Sequence, residues 1–158
     1  MPPRLKHLTT IESLTPELSN ELLDKADEFL ELTRQPIVKL ADLRGKTIIN
    51  VFYEASTRTR TSFELAGKRL GADVVNISGS ATSTSKGETL RDTVKTLDAM
   101  HADAIVIRHP ASGAADYVAK HTRAAVINGG DITQNRAILF RPLPRPRHRR
   151  RLRPSRPL

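Results

Sequence analysis

An apolar run followed at once by a hydroxyl- and arginine-rich turn decides the fold of this chain. The two parts read TIINVFY over residues 47–53 and EASTRTRTSFE over residues 54–64. The first part is apolar almost throughout, as in a central parallel strand that is covered on both faces. Beyond the turn, apolar side chains recur at helical spacing at Phe63, Ala66 and Leu70. The sequence therefore predicts a strand that turns directly into a helix.

The turn offers several hydrogen-bond donors to an anion. The first N–H groups of a helix have no partner within the helix, and the helix dipole is positive there. Hydroxyl groups can bind phosphate oxygens, and the guanidinium of Arg58 can hold a phosphate or a carboxylate with two parallel hydrogen bonds. The hydroxyl residues are Ser56, Thr57, Thr59 and Thr61. We interpret residues 56–59, called the cradle below, as a phosphate-binding site.

A helix cap is the simpler alternative for the same residues. Ser56 is a good N-cap residue, and Arg60 and Glu64 have the spacing of an ordinary helical ion pair. Capping explains one hydroxyl but not the alternation of threonine and arginine, so we favour anion binding. Because the chain has neither a Gly-x-x-x-x-Gly-Lys loop nor a Gly-x-Gly-x-x-Gly turn, a small phosphorylated metabolite fits better than a nucleotide.

Strands and helices alternate along the chain up to about residue 131. This alternation predicts an α/β fold, a doubly wound parallel sheet of four parallel strands with flanking helices. The predicted strands cover residues 47–53, 72–77, 104–108 and 124–128, and the predicted helices start at Pro16, in the cradle, at Glu88 and at Ala114. Arg108 ends the third strand. Since ligands bind outside the carboxyl ends of such strands, we expect Arg108 and the cradle to face one crevice.

The first predicted helix begins with Thr15 as its N-cap and Pro16 at its first position. Its apolar residues share one helical face, which we expect to pack on the domain. These residues are Leu18, Leu22, Ala26, Phe29 and, at the polar end of the stripe, Thr33.

Charge is distributed unevenly along the 158 residues, which suffice for one domain. The net charge is +9, but lysine and arginine number 17 against 17 acidic residues up to Asp131, and nine arginines without any acid follow. We therefore expect a domain over residues 1–131 and a disordered Arg/Pro-rich tail over residues 132–158. The tail is either an arm for nucleic acid or another anionic surface, or the product of a shifted reading frame, and we favour the reading-frame interpretation.

Other site classes have little support in the sequence. There is no cysteine, and no group of histidines and carboxylates has metal-ligand spacing, so we expect neither a metal nor another cofactor. His109 and His121 receive no role. No apolar run reaches the length of a membrane span, and the start of the chain lacks the apolar core of a signal peptide, so we expect a cytoplasmic protein without membrane contact.

Residues 52–64, FYEASTRTRTSFE, resemble the carbamoyl-phosphate signature of the aspartate and ornithine carbamoyltransferase family. Glu54, the motif Lys-Gly-Glu at residues 86–88 and the motif Arg-His-Pro at residues 108–110 are more similar to the aspartate branch. The resemblance runs from about residue 5 to Asp131 and implies a carbamoyl-phosphate-binding domain, with no aspartate-binding domain visible after it.

The resemblance implies a role for each matching residue of the cradle and its surroundings. Ser56, Thr57, Arg58 and Thr59 would bind the phosphate, and Arg58 and Thr59 would also polarise the carbonyl oxygen. Arg108 would be a second phosphate ligand.

Two further implied roles fall on the hydroxyl-rich stretch at residues 78–87. Lys86 would reach into the site of a neighbouring subunit in a homotrimer, where it would touch both substrates. Ser83, or Thr82 in an alternative register, would correspond to the loop serine of the family. Glu54 would link the two domains when they close. The implied catalytic residues are thus Arg58, Thr59, Lys86 and Arg108.

By this resemblance, the expected reaction joins carbamoyl phosphate and L-aspartate into N-carbamoyl-L-aspartate and phosphate, a step of de novo pyrimidine biosynthesis. We expect the chain to be inactive alone, because the residues that grip aspartate lie in the second domain of the family. The competing hypothesis is a non-catalytic phosphate-binding module or a nucleic-acid-binding module that acts through the basic tail.

Overall fold

The computed structural model describes residues 5–33, 40–78 and 89–131. The helices are a 3-10 turn at Ile11–Ser13, α1 at Pro16–Thr33, α2 at Thr57–Arg69, α3 at Leu90–Ala99 and α4 at Ala114–His121. The strands are β1 at Thr47–Phe52, β2 at Asp73–Ser78, β3 at Ala104–Arg108 and β4 at Ala125–Asn128. The predicted stretch at residues 78–87 lies almost entirely, and the tail at residues 132–158 entirely, outside the described residues, so the division of the chain at residue 131 stays a prediction.

All four strands pair in parallel, in the order β2-β1-β3-β4. After β1 the chain crosses to β2 on one side, and after β3 it crosses to β4 on the other side. The carboxyl ends of β1 and β3 therefore meet where the winding direction changes, which is where open α/β sheets bind ligands. This arrangement confirms the predicted α/β fold with four parallel strands and flanking helices.

Both faces of the sheet are covered by helices. On one face, Ile49 and Val51 of β1 belong to a fully buried cluster with Val94 and Leu97 of α3 and with Val118 of α4. Side chains alternate along a strand, so the neighbouring residues of β1 point to the opposite face.

Helix α2 packs on that opposite face over β1 and β2. Its Gly67 is buried so closely against the sheet that a Cβ would lie 2.7 Å from Cγ2 of Val74 and 3.2 Å from Cδ1 of Ile48. The missing side chain lets the helix approach the strands, which brings its N-terminus to the end of β1.

The boundaries of the elements agree with the sequence analysis to within two residues. Thr15 caps α1 as predicted, since its Oγ1 accepts a hydrogen bond of 3.2 Å from the N–H of Leu18. Helix α3 starts later than predicted because Thr89 is its N-cap and forms a capping box with Asp92 in the first turn. Among the helices of the described residues, none is long and apolar enough to cross a lipid bilayer.

The prediction that α1 packs on the domain along one face is wrong for part of that face. Leu18 and Phe29 are half-buried, but Leu22 is 47% exposed and Ala26 is exposed as well. Near its C-terminal end the helix approaches α2. Between the two helices lies a groove of about 320 Å³, lined by Phe29, Leu32, Leu40, Ser62, Leu65, Ala66, Arg69 and Leu70.

Gly71 ends α2 and should be among the least replaceable residues of the fold. Its φ is +86°, and a Cβ would lie 2.6 Å from the carbonyl oxygen of Leu40. Gly45 has a similar φ of +74° but open space around the Cβ position. The left-handed conformation alone costs an L-residue roughly 1–2 kcal/mol, and overpacking adds about 1–3 kcal/mol.

We therefore expect Gly71→Ala to lower the free energy of unfolding more than Gly45→Ala does, by about 1–3 kcal/mol. Urea unfolding of both variants and the parent chain measures the difference. Equal losses in the two variants would show that the contact with Leu40 contributes nothing.

Candidate anion-binding site

The site lies at the carboxyl ends of β1 and β3. Phe52 and Arg108 are paired in the sheet, and the N–H of Tyr53 donates to the carbonyl oxygen of Arg108 at 2.9 Å. Just beyond this bond the side chains of Glu54 and Arg108 form an ion pair, with 3.0 Å between Oε2 and Nε. The Arg108 side chain is only 20% exposed and that of Glu54 33%. The strand pairing thus brings together two charges that are 54 residues apart in the chain.

Arg108 makes a second hydrogen bond on the other side of its guanidinium. Its Nη1 donates to the carbonyl oxygen of Gly129 at 3.3 Å, in the turn after β4. Among the residues that the structure describes, Nη2 has no hydrogen-bond partner. Two acceptors therefore fix the plane of the group while donors remain for a ligand.

The cradle begins helix α2, and its donors are unused by the described part of the protein. Ser56 occupies the N-cap position but makes no side-chain cap hydrogen bond. Ser56 and Thr59 are half-buried, whereas Thr57 and Arg58 are exposed. An N-terminus with unpaired N–H groups, hydroxyls and a guanidinium suits an oxyanion.

The contacts that the capping alternative required are not formed. Arg60 donates from Nη1 to Oγ of Ser78 at 3.3 Å instead of pairing with Glu64. Glu64 pairs with Lys68 at 2.6 Å and accepts from Nδ2 of Asn76 at 2.8 Å. The Lys68 and Asn76 hydrogen bonds hold the pKa of Glu64 below its usual value.

Three hydrogen-bonded side chains under α2, Asn50, Asn76 and Glu64, form what we call the polar ladder, which the sequence analysis missed. Asn50 of β1 is fully buried, and its Nδ2 donates to Oδ1 of Asn76 on β2 at 2.9 Å. Since Asn76 also donates to Glu64, the ladder ties α2 to both strands. The signal was present, because an asparagine is out of place in the apolar run of β1. Its effect is to fix the helix whose N-terminus is the cradle.

His109 supports the end of β1 although no role was assigned to it. Its ring lies 4.6 Å from the ring of Tyr53, edge to face, and Oη of Tyr53 donates to Oγ1 of Thr93 at 3.2 Å. Its Nδ1 accepts from the N–H of Ala111 at 2.9 Å, so the neutral ring carries its proton on Nε2. Burial lowers the pKa of His109. His109 is therefore a neutral packing group beside the charged pair of Glu54 and Arg108.

The remaining predicted site residues cannot be placed in this geometry. Lys86, Ser83 and its alternative Thr82 lie outside the described residues. Within residues 5–33, 40–78 and 89–131, no group of three histidines or carboxylates could hold a metal ion.

Comparison with known proteins identifies a family and individual proteins that are similar to this chain. Residues 6–136 match the family model described as aspartate/ornithine carbamoyltransferase, carbamoyl-P binding domain. The aspartate carbamoyltransferase catalytic subunit of Sorangium cellulosum strain So ce56 is 58% identical over 128 residues, which are 81% of this chain and 40% of the relative.

Solved structures agree with this match. The catalytic subunit of M. jannaschii aspartate transcarbamoylase superposes with a TM-score of 0.69 at 42% identity, over 79% of this chain and 40% of the other. Aspartate transcarbamoylase from Trypanosoma cruzi in complex with carbamoyl phosphate and aspartate gives 0.73 at 34% identity, over 80% and 41%. The chain thus spans about two fifths of the length of these relatives.

Replacing Glu54 by glutamine should strengthen the binding of an anion. The change removes the negative charge that competes for Arg108, while the side-chain oxygen can still accept from Nε. We expect the affinity for inorganic phosphate to rise about three- to tenfold at low salt, which corresponds to ~1 kcal/mol of charge interaction in a partly exposed site.

Isothermal titration calorimetry with phosphate measures this change, and Glu28→Gln on α1 is the matched control that removes a distant charge. Unchanged or weaker phosphate binding in Glu54→Gln would contradict the competition between Glu54 and an anion.

Proposed function

The chain belongs to the aspartate/ornithine carbamoyltransferase family, and we propose that it forms the carbamoyl-phosphate-binding part of an aspartate carbamoyltransferase. The observation that carries the proposal is the pairing of β1 with β3, which sets Arg108 beside the residues that lead into the cradle. The cradle and Arg108 supply donors to one crevice from two different strand ends. A phosphate with several oxygens can use both sets at once.

In the proposed complex, Ser56, Thr57, Arg58 and Thr59 bind the phosphate group, and Arg108 binds it from the side of β3. Arg58 and Thr59 also donate to the carbonyl oxygen. When an amine attacks the carbonyl carbon, negative charge grows on that oxygen, and positioned donors stabilise the charge.

Ser83 and Lys86 complete the proposed substrate-binding set. Lys86 acts in the site of a neighbouring subunit, and Arg58, Thr59, Lys86 and Arg108 are the proposed catalytic residues. Orientation and charge stabilisation are the chemistry that these groups provide, since none of them needs to form a covalent intermediate.

The acceptor that we propose is L-aspartate, and the product is N-carbamoyl-L-aspartate, an intermediate of pyrimidine biosynthesis. Both substrates were bound in the T. cruzi relative, which supports the assignment. We further propose a homotrimer with shared sites and a cytoplasmic location. The nucleic-acid alternative gains no support, because the family match ends at residue 136 and the residues up to Asp131 carry balanced charge.

Arg58 should matter more than Arg60 for substrate binding. Arg58 is exposed at the helix start, whereas Arg60 is half-buried and donates to Ser78. A hydrogen bond to a charged group contributes roughly 1.5–3 kcal/mol, so Arg58→Ala should weaken binding of a phosphonate analogue of carbamoyl phosphate by about 10- to 100-fold.

Arg60→Ala is the matched control and should change the dissociation constant less than about threefold, although it removes the same positive charge. Calorimetric titration of phosphonoacetamide into both variants provides the measurement. Equal losses of affinity in the two variants would mean that Arg58 contributes only its positive charge and no specific hydrogen bond.

The 158 residues alone should bind carbamoyl phosphate without turning it over. A bound electrophile reacts slowly unless the amine is held near it, and lost orientation removes ~7–11 kcal/mol of assistance. Since the chain spans only about 40% of its relatives, we propose that the residues that hold aspartate are supplied by the remaining length.

Colorimetric detection of carbamoyl aspartate tests this proposal on purified chain, with Arg58→Ala as the control for contaminating host enzyme. A rate like that of a full-length relative, lost in Arg58→Ala, would refute it.

A further inference from the structure

Arg108 depends on a backbone carbonyl that belongs to a single, tightly held peptide unit. We propose that Asn128, at the end of β4, is a positioning residue that sets the plane of the Arg108 guanidinium through the carbonyl of Gly129. The inference rests on the proposed function, since it concerns how the second phosphate ligand is held. Among the described residues, the hydrogen-bond partners of the Arg108 side chain are Glu54 and Gly129, so Asn128 acts on it indirectly.

The peptide bond between Gly129 and Gly130 provides the connection. Its carbonyl oxygen accepts from Nη1 of Arg108 at 3.3 Å, and its N–H donates to Oδ1 of Asn128 at 2.9 Å. A trans peptide is planar, with its C=O and N–H pointing in opposite directions. Fixing the N–H on Asn128 therefore fixes the direction of the carbonyl that Arg108 meets.

Asn128 is itself held at its other end. Its Nδ2 donates to the carbonyl oxygen of Thr9 at 3.0 Å and to Oδ2 of the buried Asp131 at 3.3 Å. Its backbone N–H donates to the carbonyl oxygen of Leu8 at 2.9 Å. The amide group thus has one orientation that satisfies both of its ends, and this orientation presents Oδ1 to Gly130.

The glycines on both sides of the peptide make this restraint necessary. Gly130 has a φ of +120°, and glycine permits conformations in which the peptide plane would be turned over. The N–H of Gly129 donates to the carbonyl oxygen of Ile107 at 2.7 Å, which anchors the residue but leaves the next peptide plane free to rotate. Among the described residues, Asn128 and Arg108 are the two hydrogen-bond partners of that plane.

Loss of the Asn128 side chain should therefore leave Arg108 with Glu54 as its one fixed partner. The guanidinium could then turn about its bond to Glu54, and its remaining donors would meet a phosphate in the right orientation only part of the time. Binding of the anion would have to restore the order, which lowers the affinity.

A double-mutant cycle tests this mechanism on the whole 158-residue chain, with phosphonoacetamide as the probe. Asn128→Ala should raise the dissociation constant about tenfold in the parent chain and less than about twofold when Arg108 is already alanine. Thr122→Val is the control: it removes the hydrogen bond that Thr122 donates to Asp98 and the one that it accepts from the N–H of Ala124, before the amino end of β4, and it should leave binding unchanged.

If Asn128→Ala raised the dissociation constant by the same factor in both backgrounds, the inference would be overturned, because Asn128 would then act without Arg108. No effect of Arg108→Ala on binding would overturn the inference as well as the role of Arg108, while leaving the cradle as the site. Failure of the parent chain to bind the probe would instead count against the proposed function.

If the parent chain does not bind the probe, a measurement without ligand still tests the inference. In ¹⁵N-edited NMR spectra, the Arg108 guanidinium should show slow rotation of its Nη groups in the parent chain and in Thr122→Val, and fast rotation in Asn128→Ala. Identical Arg108 signals in the parent chain and Asn128→Ala would refute the positioning role whatever the binding data show.

Discussion

The parallel pairing of β1 with β3 is the constraint on which the rest of the structure depends. It places Phe52 opposite Arg108 and makes the hydrogen bond from Tyr53 to the carbonyl of Arg108. Because the chain leaves these two strands in opposite directions, neither of the two crossovers passes between their carboxyl ends. A charged pair can therefore lie partly buried at a place that a ligand can still reach.

Packing of α2 is the second requirement, since a helix N-terminus attracts an anion only where the helix points. Gly67 allows the close approach, and the ladder from Asn50 through Asn76 to Glu64 fixes the helix along the sheet. The side-chain N–H group of the buried Asn50 would be costly to leave unpaired, so its hydrogen bond to Asn76, which in turn binds Glu64, favours one position of the helix over others. Nonspecific apolar contacts would leave more freedom to slide.

The sequence predicted the order and the parallel arrangement of the elements well, because periodicity and helix signals are local. It could not decide where two local choices were equally good. Glu64 lies four residues from both Arg60 and Lys68, and only the neighbouring strand, through Asn76 and Ser78, decides between them. The exposed part of α1 was missed for a similar reason, since an apolar face indicates that something covers it but not which segment does. The carbonyl of Gly129 could not be predicted, because a backbone group carries no residue-type signal.

The two halves of the candidate site differ in how far apart their parts lie along the chain. The cradle is built from four consecutive residues and is held by β1, α2 and β2, which follow one another in the chain, whereas Arg108 meets Glu54 across 54 residues. Contacts between distant residues require a longer loop to close and form later than local ones. A nascent chain can thus present the cradle before β3 has docked. A phosphate that engages both halves stabilises only the chain in which β3 is in place, and so favours completion of the sheet by mass action.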